Sequence, residues 1–582
     1  MKVIENSMQE SIAVCKVIDT NVAHCQDCYR CVRACPVKAI RITRGQAHIE
    51  QELCIHCGTC VRQCPKKAKY IISTLDSVKE LLASGRPVAA SIAPSFAAID
   101  PAITNKIPTA LRLLGFSRVC ETAEGAKLVA DSSLNCGGKG SICTACPAVV
   151  SYVEKYHHEA LERMIPVVSP MVAHGRMIKE AFGEECAVVF IGPCAAKKAE
   201  AARPENRDAI DAVITFRELF DWFEEKKFNL HTMPDGSFDF TGLADGGLRE
   251  ARLFPVDGGM LKTCGKASDG TNADVISLSG AGQVTSFFDV DPERLDFRLV
   301  EPLFCPGGCI DGPGFPEIGN VYYRKNAVIS YADEAREYEG ERRGKQENVD
   351  VEPWFIPLET RADEPVSEEA IQLVLQKTGK SEPENQLNCG ACGYSSCREN
   401  AIAVVRNMAE LEMCMPYMRR LAQQRADRII ETTPTAVVIV DKDLKIIHMN
   451  PAFHKMFMCS NSILGRHISY IFDARDFDAL AASEDKDELE AVRTYYGTKY
   501  HITLYTMRGE DQYVGMFTDI SRMKLDEGQM HLIERQLLVN ARELLEHQIS
   551  FSQEMAHQLG RNTAKTEELV KRMLDLYEDR DL

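Results

Sequence analysis

No stretch of about 18 consecutive apolar residues occurs in this chain. Its first residues, Met1 to Ser11, also lack the basic start and apolar core of an export signal. The sequence therefore predicts no membrane span, no secretion and a cytoplasmic location. Basic clusters are missing as well. The formal net charge is −17 over 582 residues, without the gathered Lys and Arg that a phosphate backbone demands, so nucleic acid is excluded as a partner and the acidity reads as solubility. With no secretory signal, disulfides have no oxidising compartment in which to form. Yet the chain holds 23 cysteines, many in C-x2-C groups, and in a large chain that pattern points to metal thiolates. The length implies roughly three to five domains.

The first cysteine run is Cys25-x2-Cys28-x2-Cys31-x3-Cys35-Pro36, repeated as Cys54-x2-Cys57-x2-Cys60-x3-Cys64-Pro65. The repeat resembles bacterial-type ferredoxins with two 4Fe-4S clusters, in which the fourth Cys of each run crosses to the other cluster. That resemblance implies one cluster on Cys25, Cys28, Cys31 and Cys64 and another on Cys54, Cys57, Cys60 and Cys35, with electron relay as the module's task. Zinc in a closed tetrahedron of thiolates is the competing reading of the spacing. His24 and His56, beside the ligands, read as solvated loop residues.

From Asp76 the pattern changes to longer apolar and helical periods. Pro87 to Ala93, Cys186 to Ile191 and Phe297 to Phe304 are predicted buried strands. In open α/β sheets, ligands collect at the carboxyl ends of strands, so segments distant in sequence can converge there. A helix is predicted from Pro147 through Val149, Val150, Val153 and Tyr156, since proline suits a first helical turn. Cys146 then stands at its positive end, where thiol pKa falls and thiolate is favoured.

Each predicted strand leads into a distinctive loop. Glu301 to Gly314 reads E-P-L-F-C-P-G-G-C-I-D-G-P-G, and Gly307, Gly308, Gly312 and Gly314 are expected to supply positive φ and close backbone approach. With Thr144-Ala145-Cys146-Pro147 and the segment Gly192 to Glu200, it resembles the three signature loops of the iron-only (FeFe) hydrogenases, T-S-C-C-P, M-P-C-x-x-K-x-x-E and E-x-M-A-C-x-x-G-C. The resemblance implies a two-lobed H-cluster domain in which Cys146, Cys194, Cys305 and Cys309 hold a 4Fe-4S cluster. Cys309 would also bridge to a diiron unit carrying CO, cyanide and azadithiolate. Lys197 would hydrogen-bond a cyanide, and Ala93, Pro94 and Ser95 would pack beside the unit.

The departures from that family are equally informative. Ala145 stands where catalytic members carry a second cysteine that relays protons, and a methyl group carries none. Ile165 falls where a relay serine is found, Met171 where a glutamine donates to cyanide, and Gly192 and Leu303 where methionines flank the cluster. Glu124 matches a relay glutamate, and Cys143 is a substitute proton donor close to Ala145. A water in place of the missing thiol is the other reading of Ala145. An intact ligand set with a cut relay resembles the sensory iron-only hydrogenases.

Val321 to Asn348 is predicted to close this domain with a helix, and Asp350 to Glu384, rich in Pro and charge, reads as a linker with a short helix Glu368 to Gln376. The set Cys389-x2-Cys392-x4-Cys397-x16-Cys414 resembles a small domain binding one 4Fe-4S cluster, with zinc as the alternative, and would extend the wire away from the hydrogenase domain. Ala426 to Met523 resembles a PAS domain. It is read from a strand pair at Ala436 to Asp441 and Leu444 to Met449, a helix opened by Asn450-Pro451, and strands at Tyr500 to Tyr505 and Tyr513 to Asp519. Its histidines His448, His454 and His467 read as structural rather than haem ligands. Lys524 to Leu582 carries an imperfect heptad stripe of a coiled-coil or partner helix.

The fold class predicted is therefore multidomain α/β and α+β. A ferredoxin-like domain covers 1–75, a hydrogenase H-cluster domain 76–350, a linker 351–384, a single-cluster domain 385–420, a PAS domain 425–523 and a signalling helix 524–582. Three functions fit it: a sensory hydrogenase of low activity, a ferredoxin-dependent catalytic hydrogenase, or an iron–sulfur protein without the diiron unit. The expected partners are hydrogen and protons, a ferredoxin-like redox protein, a signalling kinase or phosphatase, and a second copy of the chain through the PAS domain and terminal helix.

Overall fold

The computed structural model describes residues 15–242, 248–266, 274–316, 319–333, 349–360, 365–483, 487–507 and 511–521. The terminal helix expected over 524–582 lies outside them, as does the part of the Val321 to Asn348 segment beyond 333. The chain divides into two compact units, Met1–Arg419 and Arg420–Leu582. No helix among the described residues is long and apolar enough to cross a membrane.

The first unit opens with strands β1 (Ile18–Thr20), β2 (Ile40–Thr43), β3 (Gln46–Ile49) and β4 (Lys69–Ile71). β1 pairs antiparallel with β4, and β2 with β3. Each cysteine run feeds a five-residue helix, Arg30–Ala34 or Thr59–Gln63, entered through a left-handed residue at Tyr29 or Gly58. The two runs are therefore local copies related by the fold.

Next come β5 (Val88–Ile92), β6 (Arg118–Glu121), β7 (Ser141–Ile142), β8 (Ala187–Gly192), β9 (Ala212–Thr215), β10 (Val275–Ser279) and β11 (Leu299–Leu303). β6-β5-β8-β9 form one parallel sheet and β10-β11-β7 a second, giving two lobes. β5, β8 and β11 are buried along their whole length, as strands covered on both faces by crossover helices must be, and this is why they read as continuous apolar runs. All three predicted strands form, and their carboxyl ends carry Ala93-Pro94-Ser95, Pro193-Cys194 and Phe304-Cys305. The helix expected at Pro147 runs Pro147–Tyr156 with Cys146 as its cap.

Asp350 to Glu384 is not a free tether. Its first part straps onto the hydrogenase-like region: Val168 N–H donates to Val351 O at 2.8 Å, Leu358 N–H to Glu154 O at 2.7 Å, and Arg203 to Trp354 O at 2.8 Å. Its helix, Glu368–Lys377, packs on helix Cys397–Val405 through Ile371, Val374, Leu375 and Ala401. Proline and charge thus marked an irregular strap and an added helix.

The second unit is an antiparallel sheet of β12 (Ala436–Val440), β13 (Ile446–Met449), β14 (Glu488–Tyr495), β15 (Thr498–Met507) and β16 (Gln512–Asp519), in the order β13-β12-β16-β15-β14. Phe453, Phe457, Phe472, Phe477 and Phe517 pack together over its inner face. The strand pair and the helix after Asn450 match the sequence reading, while β14 was not foreseen because its residues alternate only weakly in burial. His448 and His467 are exposed, and His454 Nδ1 lies 3.2 Å from Cys459 O.

Asn450 ties this unit together. Fully buried, its Oδ1 accepts from Val437 and Phe453 N–H at 2.9 Å each, and its Nδ2 donates to Ile430 O at 3.0 Å and Thr435 O at 2.8 Å. Asn450→Ala removes the helix cap and strands four backbone groups, which costs about 2–4 kcal/mol. Urea titration followed by hydrogen exchange in β12 and β16 reads this as a lower midpoint for the second unit, with protection in the first unit unchanged.

Candidate metal centre

Two cysteine sets form in the ferredoxin-like region, in the crossed arrangement. Cys25, Cys28, Cys31 and Cys64 line one cavity. Cys54 and Cys60 are coupled electrostatically to Cys35 and Cys57, which makes the second set. Backbone N–H groups already point at these sulfurs, from Ala39 to Cys35 Sγ and from His56 to Cys54 Sγ at 3.3 Å, and from Ala68 to Cys64 Sγ at 3.2 Å. His24 is solvated, but His56 is not. It is 4% exposed, its Nε2 lies 3.1 Å from Cys15 O, and burial first, then Lys155, lowers its pKa to about 4.

The third set gathers at the carboxyl ends of the two parallel sheets. Cys194, Cys305 and Cys309 each feel Cys146, and Cys305 and Cys309 both feel Cys194, so four thiols from three distant loops share one site. Phe304 N–H, at the end of β11, points to Cys146 Sγ, as do the first-turn amides of Ala148 and Val149. The helix terminus therefore acts as expected, but burial outweighs it: the Cys146 thiol pKa is raised, and that of Cys194 reaches about 12. Iron binding has to supply the drive for deprotonation. Among the described residues no three His, Cys, Asp or Glu side chains converge on a single ion.

Glycines hold the loops together in two different ways. Gly307 and Gly308 adopt φ of +74° and +96°, as expected, and a Cβ on Gly308 would strike Pro255 O. Gly312 and Gly314 do not take positive φ. They allow close approach instead, since a Cβ on Gly312 would lie 2.5 Å from Pro193 O, and Gly314 N–H donates to that oxygen at 2.8 Å. The Cys309 loop is thereby stapled to the Cys194 loop.

Cations surround the site. Lys197, 8% exposed, donates to Glu200 Oε2 at 2.8 Å and Ala145 O at 3.4 Å, and its charge lowers the pKa of Cys146, Cys194 and Cys309. Arg62 donates to Asp311 Oδ2 at 2.6 Å and faces Cys305. Ser95 Oγ is fully buried without a protein partner, and Met171 is fully buried. A buried hydroxyl of this kind fits a polar group held beside Pro94 and Ser95.

The positions at which the sequence reading expects the proton relay to be cut are apolar in their surroundings as well. Ala145 packs half-buried against apolar neighbours, and Ile165 is buried. Glu124 is committed elsewhere: it accepts from Thr241 Oγ1 at 2.9 Å and lies 3.5 Å from His174 Nε2, while His174 Nδ1 is 2.8 Å from Ser91 Oγ. The acid that sequence reasoning passed over is Glu301. It is 2% exposed on β11, accepts from Met260 N–H at 3.1 Å, and has its Oε2 without a partner. Burial pushes its pKa up to about 8, and it is coupled to Cys309, Cys143 and Cys264. Its signal was present in the sequence as one acid inside the apolar run Phe297 to Phe304.

The second thiol set of the ferredoxin-like region adjoins this site. Ile55 and Cys57 share an apolar cluster with Cys146 and Cys194, and a Cβ on Gly58 would strike Pro313. The helix that starts after Cys146 ends on the Cys54 loop, with Lys155 Nζ donating to Cys54 O at 2.9 Å and Tyr156 Oη to Leu53 O at 2.6 Å. Ten residues make that helix, a span of about 15 Å.

Residues 86–313 match the family of the iron-only hydrogenase large subunit, C-terminal domain. Residues 16–71 match the 4Fe-4S dicluster domain, 385–416 an Fe-S cluster family, and 424–493 the PAS domain. The chain is 27% identical over 409 residues to the NADP-reducing hydrogenase subunit HndD of Solidesulfovibrio fructosivorans, covering 60% of this chain and 65% of that one. It is 40% identical over 82 residues to a cytosolic Fe-S cluster assembly factor of Vanderwaltozyma polyspora, covering 14% and 16%. The chain thus spans less than two thirds of the length of either. A solved FeFe-hydrogenase from Chlamydomonas reinhardtii is 18% identical and covers 50% of this chain and 100% of its own, with a TM-score of 0.39.

The Glu301 carboxyl is expected to stay protonated at neutral pH and to lose its proton as pH rises through about 8, because burial raises an acid's pKa by disfavouring its charged form. Infrared difference spectra should show a protonated-carboxyl C=O band that disappears over that interval. Glu301→Gln should lack the band throughout.

Proposed function

We propose that this chain is a cytoplasmic hydrogen sensor of low turnover. At residues 86–313 it carries the C-terminal domain of the iron-only hydrogenase large subunit, beside a 4Fe-4S dicluster domain and a PAS domain. The observation that carries this reading is a complete four-thiol site faced by Lys197, next to a proton relay cut at Ala145 and closed by the buried Ile165. On this reading Cys146, Cys194, Cys305 and Cys309 would hold a four-iron cluster, with the diiron unit of an H-cluster held beside Cys309. When bound, that unit supplies the chemistry that splits or forms hydrogen.

The protein's own part is to bind, orient and restrict. Lys197 offers a buried cation to an anionic ligand, a pairing that a low-dielectric site requires. Pro94, Ser95 and Met171 wall the same region, and Ser95 adds a hydroxyl. Glu301 holds a proton near Cys309 at neutral pH and its charge is felt by Cys143; both are buried, so exchange with solvent through them is slow. The set Cys35, Cys54, Cys57 and Cys60, which adjoins the site, would hold the cluster that exchanges electrons with it. The readout passes through the Cys389/Cys392/Cys397/Cys414 domain, the PAS domain and the terminal helix to a kinase or phosphatase, within a homodimer. A ferredoxin-like protein serves as redox partner.

A second reading, an iron–sulfur protein lacking the diiron unit, is favoured by one observation: an 82-residue stretch of the chain is 40% identical to an Fe-S cluster assembly factor.

Infrared spectroscopy of anaerobically matured protein separates these readings. CO and cyanide bands that shift reversibly between nitrogen and hydrogen, with slow hydrogen uptake by the same sample, are expected. Shifting bands with fast uptake would make the chain a catalytic hydrogenase, and a lack of bands after competent maturation would leave the second reading. Lys197→Met should keep the electron paramagnetic signals of the four-iron clusters and lose most of the CO and cyanide intensity.

A further inference from the structure

Beside Cys389, Cys392, Cys397 and Cys414, which line a single cavity, stands a lysine that no part of the hydrogen reaction uses. Lys380 is 7% exposed, and its ammonium donates to Cys397 Sγ at 3.1 Å and is hydrogen-bonded to Cys414 as well. Two more polar groups line the same cavity: Asn400 Nδ2 and Tyr394 Oη, both buried with no protein partner. Unpartnered buried donors call for an acceptor, and the sulfurs of a four-iron cluster are acceptors. No carboxylate is among the cavity's lining residues.

The other sets differ. Asp27 lines the cavity of Cys25, Cys28, Cys31 and Cys64, and Tyr29 beside it feels Asp27, Glu410 and Glu412. Lys69 lines that cavity too, but its ammonium is given to Thr20 Oγ1 and Ala47 O. Near the set Cys35, Cys54, Cys57 and Cys60, Lys155 donates to Cys54 O, and Lys38 donates to Gly393 O at 2.8 Å and Val32 O at 3.2 Å. These ammoniums bond oxygen, whereas Lys380 bonds sulfur.

Added positive charge and hydrogen bonds to sulfur stabilise the more negative, reduced form of a cluster and raise its potential. We propose that Lys380, with Asn400 and Tyr394, makes the cluster on Cys389, Cys392, Cys397 and Cys414 more easily reduced than either ferredoxin-type cluster, so that it is where an electron passed along them comes to rest. The two sets adjoin: Lys38 donates to Gly393 O and Arg33 to Ala391 O, and Cys35, Cys392 and Tyr394 share one apolar cluster, so the second ferredoxin-type set adjoins both the hydrogen site and this one. That hydrogen is the electron source rests on the function proposed above. Oxidation of one hydrogen molecule releases two protons and two electrons, and a four-iron cluster accepts one electron. One electron therefore rests here, and the other occupies a second cluster or leaves to a ferredoxin-like acceptor. Lys380 is a positioning residue for charge.

The test is a mediator-poised redox titration of the full-length, cluster-loaded chain, followed by electron paramagnetic resonance and run without hydrogen. Cys389→Ser identifies the signal of this cluster. That signal is expected to appear before those of the two ferredoxin-type clusters on lowering the potential. Lys380→Met should reduce its reduced-to-oxidised ratio at fixed potential at least tenfold, about 59 mV for one electron, and leave the other signals in place; Lys380→Arg should restore most of the loss. If the Met variant binds less iron, the order of reduction in the unaltered chain and the effect of Asn400→Leu decide instead. Reduction of this cluster after either ferredoxin-type cluster, or an unmoved midpoint in an iron-replete Lys380→Met protein, overturns the proposal. Because no hydrogen or diiron unit is involved, failure here is distinct from failure of the hydrogen reading, which would show as missing CO and cyanide bands.

Discussion

Burying thiols that must work as thiolates is the constraint on which the rest of the first unit depends. Desolvation raises the pKa of Cys60, Cys146, Cys194, Cys305 and Cys309, and close packing adds mutual repulsion. A buried anion is tolerable only with donors and cations around it. The architecture answers site by site: helix-terminal amides and Lys197 at Cys146 and Cys194, Arg62 at Cys305, loop amides at Cys35, Cys54 and Cys64, and Lys380 at Cys397.

The same need explains how the modules pack. Chain order puts the ferredoxin-like region first and the third cysteine domain after the hydrogenase-like region, yet in space the ferredoxin-like region is in the middle. Val17, Ile18, Val32 and Ile40 share a core with Tyr394, Ala403, Ala409 and Met413. Glu410 accepts from the Arg44 and Gly45 amides, and Ile42 N–H donates to Met408 O at 3.0 Å. On the opposite side, Arg62 and the Cys54 loop engage the hydrogenase-like region. The strap from Asp350 to Thr360 brings the chain back across that region, sealing Glu154 and Arg203 beneath it. Which thiol sets adjoin one another follows these contacts rather than sequence order.

Protons are handled more sparingly than electrons. Ala145 and Ile165 close the route that the sequence comparison anticipates, and Glu124 is spent on Thr241 and His174. What remains near Cys309 is Glu301, a carboxyl kept neutral by the apolar strand that carries it.

Local sequence determined a great deal. The cysteine runs announced the three thiol domains; the apolar stretches at Val88, Ala187 and Leu299 became buried parallel strands because only strands covered on both faces lack polar alternation; Pro147 opened its helix because proline is pre-set for a first turn; Asn450 capped another. These features depend on neighbours a few residues apart, which a linear pattern records. Tertiary structure alone decided that His56 is buried, that Gly312 serves close approach and not positive φ, that residues 350–360 form a strap, that Glu301 keeps its proton, and that Cys392 stands near Cys35. Each of these depends on desolvation and contact between segments up to hundreds of residues apart. Burial is a property of the surrounding fold, so the same Glu, His or Lys reads alike in sequence whether it ends in water or against a thiolate.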